Sequence, residues 1–274
     1  MKKTNLFKEY IDQIESLIKE VSNHFPIPNS VPHYENLKYK GFRYRHDISQ
    51  KTEELAVFLK LVRIVSLLNA CLTLIREGYC NEVIALCRSL DEESQDIHFL
   101  YLTKLDSQNS CSKLKESLLK GFYNEEEENK NHVKRSEIRI AIDKLEKNLL
   151  TLESSKGPRK IYDVFSGFVH SEYRTIIELY SGVRNLYNMK GETLLIESTI
   201  DQFYSYIYRS LISLQLGGIL LQKYDVEQKA ASLAINFAKK ADGKVLSPLD
   251  LEEFQKHYNN RFGDLEPYSS QLIK

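Results

Sequence analysis

The prolines of this chain fall at 26, 28, 32, 158, 248 and 267, so residues 33–157 and 159–247 contain none. Proline lacks a backbone N–H and clashes with the preceding turn, so it ends helices. Its absence over two such stretches permits helices of many turns. Eleven glycines among 274 residues are also too few for the turn-rich connections of a β-sandwich or barrel. The 42% hydrophobic content is too high for a disordered chain, and the length suffices to bury a real core. Lysine plus arginine is 38 and aspartate plus glutamate is 38, so formal charge is zero. That balance excludes a global polyanion binder and leaves room for local basic patches.

Apolar spacing fills in the helices. Leu6, Tyr10, Ile14, Leu17 and Val21 share one face of a helix over about 4–24. A Pro-rich connector, Phe25 to Pro32, follows, and residues 33–47 read as irregular. A long helix is expected from Ser49 to Glu77, nearly continuous in apolar residues by Leu74, as at a bundle centre. Gly78 stops it, and a second long helix over 81–105 makes a tight antiparallel hairpin. Residues 106–130 are weaker and end in the acidic run Glu125–Glu128, a solvated loop. Further helices are expected over 132–155, 159–187 and 193–223, then one to about Lys240 and a short one after Ser247-Pro248. The fold class is therefore all-α. It divides as an N-terminal helix and basic-aromatic connector (1–46), a bundle on the long hairpin (47–223) and a small C-terminal helical extension (224–274).

The longest stretches without charge, Ile64–Ile75 and Ser210–Gln222, are 12 and 13 residues, short of the roughly 20 that span a bilayer. Charges run through the first helix, which does not read as a signal peptide. Cys71, Cys80, Cys87 and Cys111 form no C-x-x-C pair, so packed free thiols in a reducing cytoplasm are expected rather than a zinc site. Gly217-Gly218 lies in an apolar helix without a following Lys-Ser or Lys-Thr, so no phosphate-cradling loop is present.

Three segments could carry chemistry. In the second long helix, Arg88, Glu92 and Gln95 share a face away from Val83, Leu90, Ile97 and Tyr101. Arg88 and Glu92 read as an i,i+4 ion pair or as a guanidinium held to bind phosphate bidentately. Further on, Ser166, His170 and Arg174 line one helical face, with Tyr173 beside them. An imidazole moves protons near neutral pH and a guanidinium stabilises a phosphorane, so the two types suffice for metal-independent RNA cleavage by the 2′-hydroxyl. Third, Tyr34–His46 interleaves aromatics with cations. Lys38, Lys40, Arg43, Tyr44 and Arg45 offer the mixture that nucleic acid strands require. A solvated connector with rings packed on the bundle is the plain reading. Finally, Glu92-Glu93-Ser94-Gln95-Asp96 fits the E-E-x-x-D pattern of all-α nucleotide pyrophosphohydrolases, which bind Mg²⁺, but no second E-x-x-D follows between 97 and 135.

The long hairpin, the R-S-L-x-E stretch (Arg88 to Glu92) and the S-x-x-V-H stretch (Ser166 to His170) resemble a bacterial helical family similar to the HEPN superfamily, over roughly residues 50–220. The resemblance implies an all-α bundle, often dimeric, found in toxin–antitoxin, abortive-infection and other antiviral systems. Many members are metal-independent ribonucleases, so no cofactor is expected. RNA, a partner protein of such a system and a second copy of the chain are the expected partners. Active members carry Arg with His after four to six intervening residues, and none of the seven His here has Arg at that distance upstream. A site must therefore join Arg88 to His170 across the chain, or use His170 with Arg174 downstream. The alternative is a non-catalytic interaction or self-assembly module.

Overall fold

The computed structural model describes residues 2–25, 29–33, 43–47, 51–123, 133–150 and 196–245. Seven helices occur among them: α1 (Lys2–Ser22), α2 (Glu53–Glu77), α3 (Cys80–Leu105), α4 (Ser112–Tyr123), α5 (Arg135–Leu150), α6 (Ile196–Leu220) and α7 (Tyr224–Lys240). The all-α bundle read from the sequence is thus the architecture observed, with α2 and α3 as its long antiparallel hairpin. The segments read as helical over 159–187 and after Ser247 lie outside the described residues, as does the acidic run at 125–128.

Local signals set the hairpin. Thr52 Oγ1 accepts from the Leu55 amide at 3.2 Å and caps the start of α2. Gly78 ends it at φ 87°, a left-handed conformation that costs a side-chain-bearing residue, and its N–H reaches the Ile75 and Leu74 carbonyls. Asp106 ends α3: its carboxylate accepts from the amides of Gln108 and Ser110 and from the Ser110 hydroxyl.

One hydrophobic cluster runs from α1 to α7, continuous across positions 47 and 223. The buried stripe of α1 is wider than the face of Leu6, Tyr10, Ile14, Leu17 and Val21: Phe7 and Ile11 are fully buried beside Tyr10 and Ile14. Phe7 meets Phe203 and Tyr204 edge-on, with centroids 5.1 and 4.7 Å apart, and Tyr10 meets Phe237 at 4.8 Å. Gly218 lets α6 and α7 touch; a Cβ there would stand 2.8 Å from the Glu227 amide nitrogen. Among the described residues α2 is long and apolar enough to cross a membrane, and 67% of its apolar window is buried in the bundle.

One expectation is corrected. Residues 33–47 are not wholly irregular: β1 (Asn29–His33) pairs antiparallel with β2 (Arg43–Asp47), Val31 opposite Arg45 and Pro32 opposite Tyr44. The strands are too short for alternation to stand out in the sequence. Proline inside β1 is tolerated because a two-stranded ribbon has only edge strands.

Candidate functional site

The acidic stretch of α3 gathers cations from four helices. Arg88 Nε lies 3.3 Å from Glu92 Oε1, one turn along α3, with the two side chains 20% and 26% exposed. Glu92 also faces α5, where Arg135 Nε approaches Oε2 at 3.8 Å and Nη1 donates to the Glu92 carbonyl at 3.4 Å. Glu92 thus bridges two guanidinium groups, and the ion-pair reading of Arg88 with Glu92 is the one the geometry shows.

One turn on, Asp96 is fully buried. Its Oδ2 accepts from Lys60 of α2 at 2.7 Å, and its Oδ1 pairs with Arg135 Nη1. Lys60 also reaches Glu93 Oε2 at 2.9 Å and stands 4.8 Å above the Phe122 ring of α4. A charge buried alone is very costly, so each partner here requires the others. Burial opposes the Arg135 charge, and Asp96, helped by Glu92 and Glu93, more than restores it, holding the guanidinium above its usual range.

Each carboxylate of the E-E-x-x-D stretch is paired with a cation: Glu92 with Arg88 and Arg135, Glu93 with Lys60, and Asp96 with Lys60 and Arg135. Among the described residues no group of His, Cys, Asp and Glu is arranged to hold a metal ion.

On the other flank of α3, Asp91 is buried between α3 and α6. The Tyr206 hydroxyl donates to its Oδ2 at 3.2 Å, and Arg209 pairs with its Oδ1. Burial raises the Asp91 carboxyl above the usual range, against the pull of Arg209 and Tyr206. Burial first, then the Asp91 charge, pushes the Tyr206 phenol upward. The Cys87 thiol is likewise raised, by burial and by neighbouring Cys71. His98 lies two turns beyond Asp91 along α3, its Nε2 3.5 Å from Glu146 Oε1 of α5. Burial, helped by Arg209, lowers His98 to about 4. A hollow of about 290 Å³ near α4, lined by Thr103, Asp106, Cys111 and Lys115, shares no residue with this seam.

Of the residues singled out in the sequence, Arg88 and Glu92 are brought together, with Gln95 at the same flank. Ser166, His170, Tyr173 and Arg174 lie outside the described residues, as do Lys38 and Lys40. Arg43, Tyr44 and Arg45 are in β2, paired with His33, Pro32 and Val31 of β1. Lys60, Asp91, Arg135, Tyr206 and Arg209 escaped the sequence reading, and Asp96 entered it only within the E-E-x-x-D stretch. Two left a trace. Lys60 interrupts an apolar run between Leu59 and Leu61, and Asp91 follows Ile84 by one heptad, on a stripe that turns out buried. No family model, curated protein or solved structure matches the chain.

Proposed function

We propose that the chain is a HEPN-like effector of prokaryotic toxin or antiviral defence that works in the cytoplasm, binds RNA and cleaves it without a metal. Arg88 and Arg174 hold the phosphate, His170 is the acid–base group, and Ser166 and Tyr173 orient it. Lys38, Lys40, Arg43, Tyr44 and Arg45 guide the strand. The observation that carries this reading is the convergence on α3: adjacent residues Asp91 and Glu92 draw Arg209 from α6, Arg135 from α5 and Arg88 from α3 itself. The chain between α5 and α6 is the one that carries Ser166, His170, Tyr173 and Arg174. Both of its flanking helices pack on the helix that bears Arg88.

The chemistry is self-contained. His170 takes the proton of the 2′-hydroxyl, whose oxygen attacks the adjacent phosphorus. The guanidinium groups balance the charge gathering on the phosphorane oxygens, and the departing 5′-oxygen receives a proton, leaving a 2′,3′-cyclic phosphate. Purified protein is expected to cut RNA in EDTA, with His170→Ala and Arg88→Ala each slowing cleavage about 100-fold or more. Cutting that persists in His170→Ala, or a folded protein that neither binds nor cuts RNA, overturns the assignment.

A second reading, a non-catalytic module for a partner protein or self-assembly, is favoured by the pairing of Arg88 with Glu92. It predicts assembly that Arg88→Glu disrupts in sedimentation, together with no RNA cleavage.

A further inference from the structure

We propose that Arg209 is a pre-positioned phosphate-binding group at the α3–α6 edge of the charged seam, a site that rests on the reading above only in taking RNA as its source of phosphate. Its side chain is 42% exposed, whereas that of its counter-ion Asp91 is 5% exposed. The carboxylate is fixed from below: the Tyr206 hydroxyl donates to its second oxygen at 3.2 Å. Tyr206 also lies one turn before Arg209 on α6, and the guanidinium carbon sits 5.6 Å from the centre of its ring. One tyrosine therefore holds the anchor and flanks the cation.

This differs from an ordinary surface ion pair. There, two mobile side chains meet in water and neither is oriented for anything else. Here the carboxylate is immobile and buried, so Arg209 is held by one edge while its head remains in contact with solvent. A guanidinium carries five N–H donors in a planar fork, and that fork matches the oxygens of a phosphate. Holding it in place beforehand removes much of the ordering cost that a free surface arginine meets on binding an anion.

Depth sorts the charges in the same sense next door. Arg135 is 29% exposed over Asp96 at 1%. At both pairs the negative end lies inside and the positive end outside, so the edge presents cations although the seam is balanced in formal charge. Asp91 directly precedes Glu92 in the chain, and the two acids face different flanks of α3, Asp91 toward Arg209 of α6 and Glu92 toward Arg88 and Arg135.

Two probes separate the phosphate site from its RNA source. Inorganic phosphate at constant ionic strength is expected to raise the melting temperature of the wild-type chain, with chloride as the control. Labelled oligouridylate reports RNA affinity across a salt series. Arg209→Met alone would strand a buried carboxylate, so Arg209→Met is combined with Asp91→Asn and the fold is checked by circular dichroism. The folded double variant is expected to lose the phosphate response. Its RNA affinity should fall about tenfold, and its salt slope should drop by about one. Asp91→Asn alone sharpens the point: a purely electrostatic role predicts tighter binding once the acid is gone, whereas a pinned guanidinium predicts weaker binding at unchanged salt slope.

A phosphate response that persists in the folded double variant, or none in the wild type, overturns the proposal. Phosphate bound through Arg209 without any RNA binding upholds it and removes the RNA reading. RNA binding that survives the double variant but is lost in Arg88→Ala upholds that reading and removes this site.

Discussion

Asp91 and Asp96 are both buried on α3, yet the bundle answers them differently. Asp96 is held by two cations from two other helices, and one of these, Lys60, is as deeply buried as the acid. The inner part of the cluster is closed: Lys60 of α2 and Asp96 of α3 are 5% and 1% exposed, and Arg135 of α5 covers them from the solvent side. Asp91 has one guanidinium, half in solvent, and a phenol. That cluster is open on its outer side. Equal burial of an acid therefore does not imply an equal role. What distinguishes a cross-link from an anchor is where the opposite charge ends up.

The largest expected effect tests the closed cluster. Asp96→Ala leaves Lys60 with Glu93 alone and Arg135 without its inner partner. Breaking a buried pair on one side costs about 3–5 kcal/mol, to be read from the midpoint of denaturant unfolding at unchanged slope. Removing both ends, as Lys60→Met with Asp96→Leu, should recover most of that loss, because no charge is then stranded. At the open cluster, Asp91→Asn should cost only about 1–2 kcal/mol, since Arg209 can turn wholly into water and Tyr206 keeps an acceptor. If Asp91→Asn proved as damaging as Asp96→Ala, the distinction between anchor and cross-link would be lost.

A smaller effect is set by pH on the flank that Asp91 and His98 share. Folding lowers His98 from its ordinary 6.5 to about 4. Between those values the unfolded chain binds a proton that the folded chain refuses. The stability contributed by neutral His98 is therefore complete above pH 6.5 and is lost as pH falls through about 4. The side chain is 33% exposed, so solvent screening limits the loss to about 1 kcal/mol. Asp91, raised in the folded state, has the opposite sign: its neutral form is favoured by folding, and that contribution fades as pH rises. Melting curves of wild type and His98→Gln over pH 7 to 4 separate the two. The variant should lose less stability on acidification, and parallel curves would remove His98 from the account.

Much of the fold was legible because proline spacing and helical periodicity act locally. The Gly78 stop and the burial of Leu55, Val83, Leu90 and Ile97 follow from rules that operate within a few turns. The charged seam was legible only along α3 itself, at the i,i+4 pair Arg88 and Glu92 and in the acidic stretch through Asp96. Lys60 with Asp96 and Asp91 with Arg209 join residues 36 and 118 positions apart, and their meeting depends on how helices stack. The ribbon was missed for another reason. Five-residue strands carry too little alternation to be told from a connector, and their pairing is a long-range choice.

The smallest expected effect decides most about function. Arg88 precedes Glu92 on α3, the less favourable order against the helix dipole, and such pairs contribute about 0.3–0.5 kcal/mol. A double-mutant cycle on Arg88→Ala and Glu92→Ala isolates that coupling from whatever else either residue touches. A coupling near that value means that the pair does little for the fold. The guanidinium then costs little stability to remove, and loss of RNA cleavage in Arg88→Ala reads as loss of a phosphate contact. A coupling well above about 1 kcal/mol would instead place Arg88 with Lys60 and Asp96, inside the closed part of the seam. Arg88→Ala would then act through the bundle, which is the outcome that the interaction-module reading requires.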